Sequence, residues 1–394
     1  DFDGTLIDST QEIVDAYNES FSKNNLYRVP ARLIKQNLGK FRETIIKKIY
    51  PSNIAVYVGL DFVGDGLIKL PFIRSLKQVF PKSRITWIAG THKSEFKHSL
   101  SPLVQGLIDE VIEEANVGFI GISDANFKQR INDLINFINP PINGRQFDLL
   151  IDTQTHVLTT LIVRTIKHKY FLSGTANFLF SNIKPPKNFV RELNLSQRLV
   201  QLAEIASGSK INVPPPPLPL DDKYRKLAKV ALPKNNYVGI APGAGDMSKC
   251  WHLKNFLDVA KDIVQKKRIP VFFLGPKEKK LLQFIKKEIP ISVFPEWGKF
   301  RKSNIKGPAF VIALAERIQC AISNDSGTAH MIDAGGCPIV KVFGRSLPGK
   351  YTGLTDSYLS IIRALDHSSL KNKCKIKIVW ISSEKIENRQ NQKE

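Results

Sequence analysis

With 394 residues, 42% of them hydrophobic and 24% charged, the chain is long enough for two domains of about 150 residues each and has the composition of a globular protein. Its 58 Lys+Arg against 36 Asp+Glu leave a net charge of +22, which favours anionic partners, yet the lysines are scattered and no Arg-rich tract alternates with aromatics, which speaks against nucleic acid. The lone cysteines Cys250, Cys320, Cys337 and Cys374 offer neither a C-x-x-C pair nor a zinc spacing, and no apolar run reaches the ~20 residues of a membrane helix, so a soluble, cytoplasmic protein is expected.

In chain order, "DFDGTLIDST" opens the sequence as an acidic loop. "NIAVYVGL", from Asn53, reads as a strand, and "GLIKLPFIRSLKQVF" follows with Leu67, Leu70, Ile73, Leu76 and Val79 near helical spacing. Between them a glycine-bearing turn carries Gly64, Asp65 and Gly66. "RITWIAG" returns to strand, and "FDLLIDTQ" (147–154) is a continuous apolar run of the kind buried in parallel sheets. This βαβ rhythm predicts an open parallel sheet. Pro214 to Pro217 in "SGSKINVPPPPLPL" can enter neither a helix nor a central strand and read as an extended connector. The rhythm then restarts. "YVGIAPGAG" is a strand running into a glycine loop, "HLKNFLDVAKDIVQKK" puts Phe256, Val259, Ala260, Ile263 and Val264 on one helical face, and "IPVFFLG", "CAISNDSG" and "PIVKVFG" are further strands. The tail "SSEKIENRQNQKE" is polar. Two α/β halves imply a cleft lined by the carboxyl ends of both sheets.

The opening resembles the first motif of haloacid dehalogenase-like (HAD) phosphohydrolases of the phosphoglycolate-phosphatase type, with a likeness that continues through the next 40 or so residues and stops near Tyr50. In that family Asp1 would be the nucleophile and Asp3 the acid/base, with Mg²⁺ between carboxylate and phosphate. The later lysine and acidic pair are not found. "SNDSGTAH" offers Asp325 but Ala329 where a second carboxylate is needed. A partial fragment without activity is therefore expected, and metal-dependent phosphatase chemistry through Asp1 and Asp3 stands as an alternative function.

From about Asn53 to Leu365 the sequence resembles the heptosyltransferases of glycosyltransferase family 9, on three stretches. "GLDFVGDGLIKLPFIRSLKQVFP" matches that family's G-D-x(5)-P pattern at Gly64, Asp65 and Pro71. The resemblance makes Asp65 the general base toward an acceptor hydroxyl, with Gly64 and Gly66 on the acceptor side; a helix-capping role for Asp65 is the plain alternative. "IAPGAGDMSKCWHLKNF" presents Gly243, Ala244 and Gly245 as a phosphate-binding loop, with Ser248 and Lys249 on the donor's diphosphate. "SNDSGTAHMIDAGGCPIVKVFG" would turn Ser326, Gly327 and Thr328 toward phosphate at a helix's positive end, with Asp325 orienting the loop and His330 facing the cleft. Glu278 in "FFLGPKEKK" stands where the family places an acid on the ribose.

The resemblance implies an α/β protein of GT-B fold, two Rossmann-like domains with parallel sheets facing a central cleft. The expected boundaries are a partial fragment at 1–50, an acceptor domain at 53–206, a Pro-rich linker at 207–234, a nucleotide-sugar domain at 235–366 and a tail at 367–394. The implied activity is inverting sugar transfer without a metal or other cofactor. The implied partners are an ADP-heptose-like donor, a lipopolysaccharide-core or related glycan acceptor and, through the positive charge, the anionic inner membrane face. A non-catalytic glycan- or nucleotide-binding module on the same fold is the other alternative.

Overall fold

The computed structural model describes residues 49–59, 61–90, 92–115, 117–118, 142, 144–214, 217–245, 250–297, 305 and 307–343, together with the backbone of 359–363. The phosphatase-like opening, with Asp1 and Asp3, and the polar tail lie outside the described residues.

Two five-stranded sheets, each wholly parallel, organise the chain. The first holds β1 (Asn53–Val58), β2 (Arg84–Ala89), β3 (Glu110–Ile112), β4 (Phe147–Asp152) and β5 (His168–Ser173) in the order β3-β2-β1-β4-β5. The second holds β6 (Tyr237–Ala241), β7 (Ile269–Phe272), β8 (Ala321–Asn324), β9 (Ile339–Phe343) and β10 (Leu359–Arg363) in the order β10-β9-β8-β6-β7. β1 lies centrally, with Val56 opposite both Trp87 and Ile151, and β6 is buried at every residue. Strands covered on both faces read as unbroken apolar runs.

Helices α1 (Val63–Val79), α2 (Val157–Val163), α3 (Leu195–Ser207) and α4 (Asp222–Ala231) precede the second sheet, and α5 (Leu253–Gln265), α6 (Leu282–Glu288), α7 (Pro308–Ala315) and α8 (Gly327–Ala334) accompany it. α1 starts three residues before the predicted helix, so Gly64, Asp65 and Gly66 belong to its first turn and not to a loop. It buries Ile68 and Phe72 as well as Leu67, Leu70, Ile73 and Leu76 of the predicted stripe, with Val79 half-buried, because it packs against both α3 and α8. The second part of the proline-rich stretch is helical. Asp221 caps α4, Arg225 grips Glu316 at 2.9 Å, and the Leu218 amide donates to Ala334 at 3.0 Å, all of which tie this segment to the second lobe.

One apolar cluster runs from the α1/α3 face of the first sheet (Val56, Ile73, Ala203) into the α7/α8 face of the second (Phe310, Ile332). Smaller clusters cover the opposite faces, around Tyr57, Leu150 and Phe171 in the first lobe and Val238, Phe256 and Phe272 in the second. Each large buried side chain contributes about 1.5–3 kcal/mol. In the first sheet the strand order reverses between β1 and β4, and in the second between β6 and β8. Ligands of open α/β sheets bind outside the carboxyl ends of the strands at such reversals.

Candidate active site

In the first lobe, the turn after β1 is built on a carboxylate that the sequence did not single out. Asp61 is buried, with its side chain fully enclosed. It accepts from Trp87 Nε1 at 2.9 Å, Ser94 Oγ at 2.5 Å and Lys69 Nζ at 3.3 Å, and its carbonyl accepts from the Glu95 amide. A buried carboxylate with three donors is stable only in one arrangement, so this hub fixes where α1 begins. The N-cap of α1 is Phe62, which makes no side-chain cap, and half-buried Asp65 sits in the first turn. Asp65 is thus not the N-cap residue. A Cβ on Gly66 would run into Leu100 Cδ1, so its small size serves the packing of α1 against the core.

In the second lobe, β6 runs into Gly243, Ala244 and Gly245, while Ser248 and Lys249 lie outside the described residues. The carboxyl of Glu278 rests on two glycines. A Cβ at Gly243 would lie 2.7 Å from Glu278 Cδ, and one at Gly275 would lie 2.8 Å from Oε2. Glu278 and the glycine loop therefore do share the carboxyl edge of β6 and β7. Partly buried Glu296 faces them, its carboxyl raised to about 7 by burial and then by the Glu278 charge. Asn324, at the end of β8, donates to Pro242 O at 2.6 Å and accepts from the Trp251 amide at 2.8 Å. It clamps both flanks of the Ser248–Lys249 segment across the strand reversal.

The loop after β8 leads directly into the N-terminus of α8. Ser326 is the N-cap of α8 and accepts from the Ala329 amide at 3.3 Å, leaving the amides of Gly327 and Thr328 without a hydrogen-bond partner among the described residues. Asp325 is buried, and its amide extends the ladder to Val342. His330 is buried too, pushed down to about 3 by burial and then by the Lys341 charge, so its imidazole is neutral. Lys341 went unread inside "PIVKVFG". It is fully buried, its Nζ stands 3.7 Å from Asp333 without a hydrogen bond, and burial lowers its pKa. A lone charge interrupting a buried strand was the signal available.

The two first turns meet. A Cβ on Gly64 would lie 3.3 Å from Gly327 Cα and 3.4 Å from His330 Cδ2, so the start of α1 abuts the start of α8 across the lobes. Gly64, the residue before Asp65, therefore stands at the interlobe contact with Gly327 and His330. Among the described residues, no three His, Cys, Asp or Glu side chains are grouped to hold a metal ion, and no helix is long and apolar enough to cross a membrane.

A profile of glycosyltransferase family 9 (heptosyltransferase) matches residues 140–379, more than half of the chain. The chain belongs to this family. It is a glycosyltransferase, built as a GT-B-like pair of parallel α/β lobes. It is 22% identical over 306 residues to the lipopolysaccharide core heptosyltransferase OpsX of Haemophilus influenzae, which covers 76% of this chain and 80% of that protein. Its fold superposes on the E. coli heptosyltransferase WaaC with ADP at a TM-score of 0.56 and 15% identity, over 86% of this chain and 99% of that one. A short stretch of 42 residues is also 55% identical to CTP synthase of Eremothecium gossypii, spanning 11% of this chain and only 7% of that relative.

Proposed function

We propose that the protein transfers a heptose-like sugar, with inversion and without a metal, from a nucleotide-diphosphate sugar to a lipopolysaccharide core or related glycan. The observation that carries this reading is the meeting of the Gly64–Asp65 turn with the start of α8, where the Gly327 and Thr328 amides have no hydrogen-bond partner among the described residues. Solved WaaC structures with ADP and with ADP-2-deoxy-2-fluoro heptose, and the name of OpsX, support the donor and acceptor classes. The first lobe, 53–206, receives the acceptor, and the second, 235–366, holds the donor.

In this reading Asp65 accepts the proton of an acceptor hydroxyl as that oxygen attacks the anomeric carbon from the face opposite the diphosphate. The bond from anomeric carbon to phosphate oxygen breaks, and charge collects on the departing diphosphate. The Gly327 and Thr328 amides, the positive end of α8 and the Lys249 ammonium stabilise that charge. Ser248 and the Gly243–Gly245 loop complete the phosphate contacts, and Glu278 accepts from the ribose hydroxyls. Neutral His330 donates or accepts a hydrogen bond without adding charge. The net charge of +22 draws the enzyme to an anionic membrane face carrying the acceptor.

The test is a transfer assay with ADP-heptose and a lipopolysaccharide-core acceptor, run with and without excess EDTA, the product's anomeric configuration being read by NMR. Turnover that survives the chelator and inverts the centre supports the proposal. Retention of configuration, or activity abolished by EDTA and restored by Mg²⁺, refutes it.

A further inference from the structure

β9 lies between β8 and β10, and at its centre, opposite Ser323 and Ile361, it carries a lysine. The Lys341 side chain is fully enclosed, and its Nζ has no hydrogen-bond partner among the described residues. Asp333, in the last turn of α8, brings Oδ2 to 3.7 Å from that nitrogen. Asp325, just ahead of the Ser326 cap, acts on it from the other end of the helix. Burial lowers the lysine's pKa, while the charges of Asp333 and then Asp325 work against that shift. His330, between the two in sequence, is held neutral by burial first and then by the Lys341 charge.

This arrangement bears on the end of α8 that meets the first lobe. Gly327 and Thr328 open the helix, and an anion at their amides gains from the N–H groups and the helix dipole. Two carboxylates that bracket a helix of only eight residues oppose that gain, because charges act on one another over several ångströms in a poorly polarisable interior. An ammonium set between them offsets the opposition. Enclosing a charge within a sheet is costly, and an apolar side chain of similar length would fill the same place without that cost. The packing of β9 alone therefore does not account for a lysine at this position.

We propose that Lys341 is a positioning residue of the donor site, which balances Asp325 and Asp333 and so keeps the N-terminus of α8 positive toward a diphosphate. It acts through α8 and does not touch the ligand. The proposal rests on the transferase reading above and adds to it the buried charge that sets how firmly the second lobe holds a phosphorylated ligand.

The experiment is calorimetric titration of the full chain with adenosine, AMP and ADP. It is repeated on Lys341→Met, Lys341→Arg, Asp333→Asn and the Lys341→Met/Asp333→Asn double variant, each checked for native circular dichroism. Lys341→Met weakens ADP binding about ten-fold, AMP binding less and adenosine binding by under about two-fold, since only charged ligands feel the lost cation. Lys341→Arg keeps most of the ADP affinity, Asp333→Asn tightens ADP about three-fold, and the double variant recovers most of what Lys341→Met loses. Equal losses for adenosine and ADP would show that Lys341 serves packing alone and would overturn the proposal, as would unchanged ADP affinity in Lys341→Met. If Lys341→Met does not fold, Asp333→Asn decides, tighter ADP binding supporting the proposal and unchanged or weaker binding overturning it. A wild type that ignores ADP removes the donor reading and this proposal together. A wild type that binds ADP, with variants that match it, leaves the donor reading standing and removes this proposal alone.

Discussion

Asp61 and Asp152 in the first lobe each have three donors on their side chains, and both lie beneath the carboxyl edge of the sheet. The second lobe differs. Among the described residues, the buried Lys341 ammonium and Trp251 indole N–H have no hydrogen-bond partner and neither do the Gly327 and Thr328 amides, whereas the first lobe's buried groups without a partner, Ser75 Oγ and Ser196 Oγ, are neutral hydroxyls. Saturated carboxylates make a stiff support that aims α1 and its aspartate, whereas open donors are what an anionic ligand requires. The difference accords with the proposal that the first lobe positions Asp65 against an acceptor and the second holds the nucleotide.

The comparison breaks most visibly if Asp61 is not essential. Asp61→Ala leaves Trp87 Nε1, Ser94 Oγ and Lys69 Nζ without their shared acceptor, and we expect a loss of about 3–5 kcal/mol in urea unfolding. A loss below about 1 kcal/mol would show that the hub does not organise the lobe.

Glu296 gives a smaller effect, in the second lobe. Its carboxyl is raised from 4.5 to about 7, so between those values the folded protein keeps a proton that the unfolded chain has released. Stability therefore falls as pH rises through that window. Glu296→Gln removes the ionisation, and the variant should exceed wild type by about 1–3 kcal/mol near pH 8 and by nothing near pH 4. An advantage independent of pH would mean that neither burial nor the Glu278 charge raises the Glu296 carboxyl.

Much of the fold was legible because parallel strands covered on both faces must be continuously apolar. β1, β2, β4 and β6 to β9 stand out in the sequence for that reason. β3 has only three residues and β5 starts with the polar pair His168-Lys169, so neither carries the signal. The α4 helix was hidden by the neighbouring prolines. At the site, the three family stretches led to Asp65, the Gly243 loop and the Ser326–His330 turn, and the segment "FFLGPKEKK" led to Glu278; all of these lie at the carboxyl edges of the sheets. Asp61, Asp152, Asn324 and Lys341 escaped notice, because the worth of a buried polar group depends on partners distant in sequence. Asn324 clamps Pro242 and Trp251 from 82 and 73 residues away, and no local pattern announces that.

The smallest effects sharpen the contrast. Asn194 caps α3 by accepting from the Gln197 amide, and Ser326 caps α8 by accepting from Ala329. Replacing either with alanine should cost about 1 kcal/mol of stability. Only Ser326→Ala should also weaken ADP binding in calorimetry. Equal ADP affinities in the two variants would remove the distinction between a supporting and a binding lobe.

The central claim is that an aspartate of the first lobe acts on an acceptor while the second lobe alone grips the nucleotide. Measuring ADP affinity and sugar transfer side by side in Asp65→Ala tests it most directly. The expected result is ADP affinity within about two-fold of wild type and transfer reduced by about 10²–10⁴, the range of a lost general base. Near-normal transfer, or loss of nucleotide binding in step with transfer, would contradict the account.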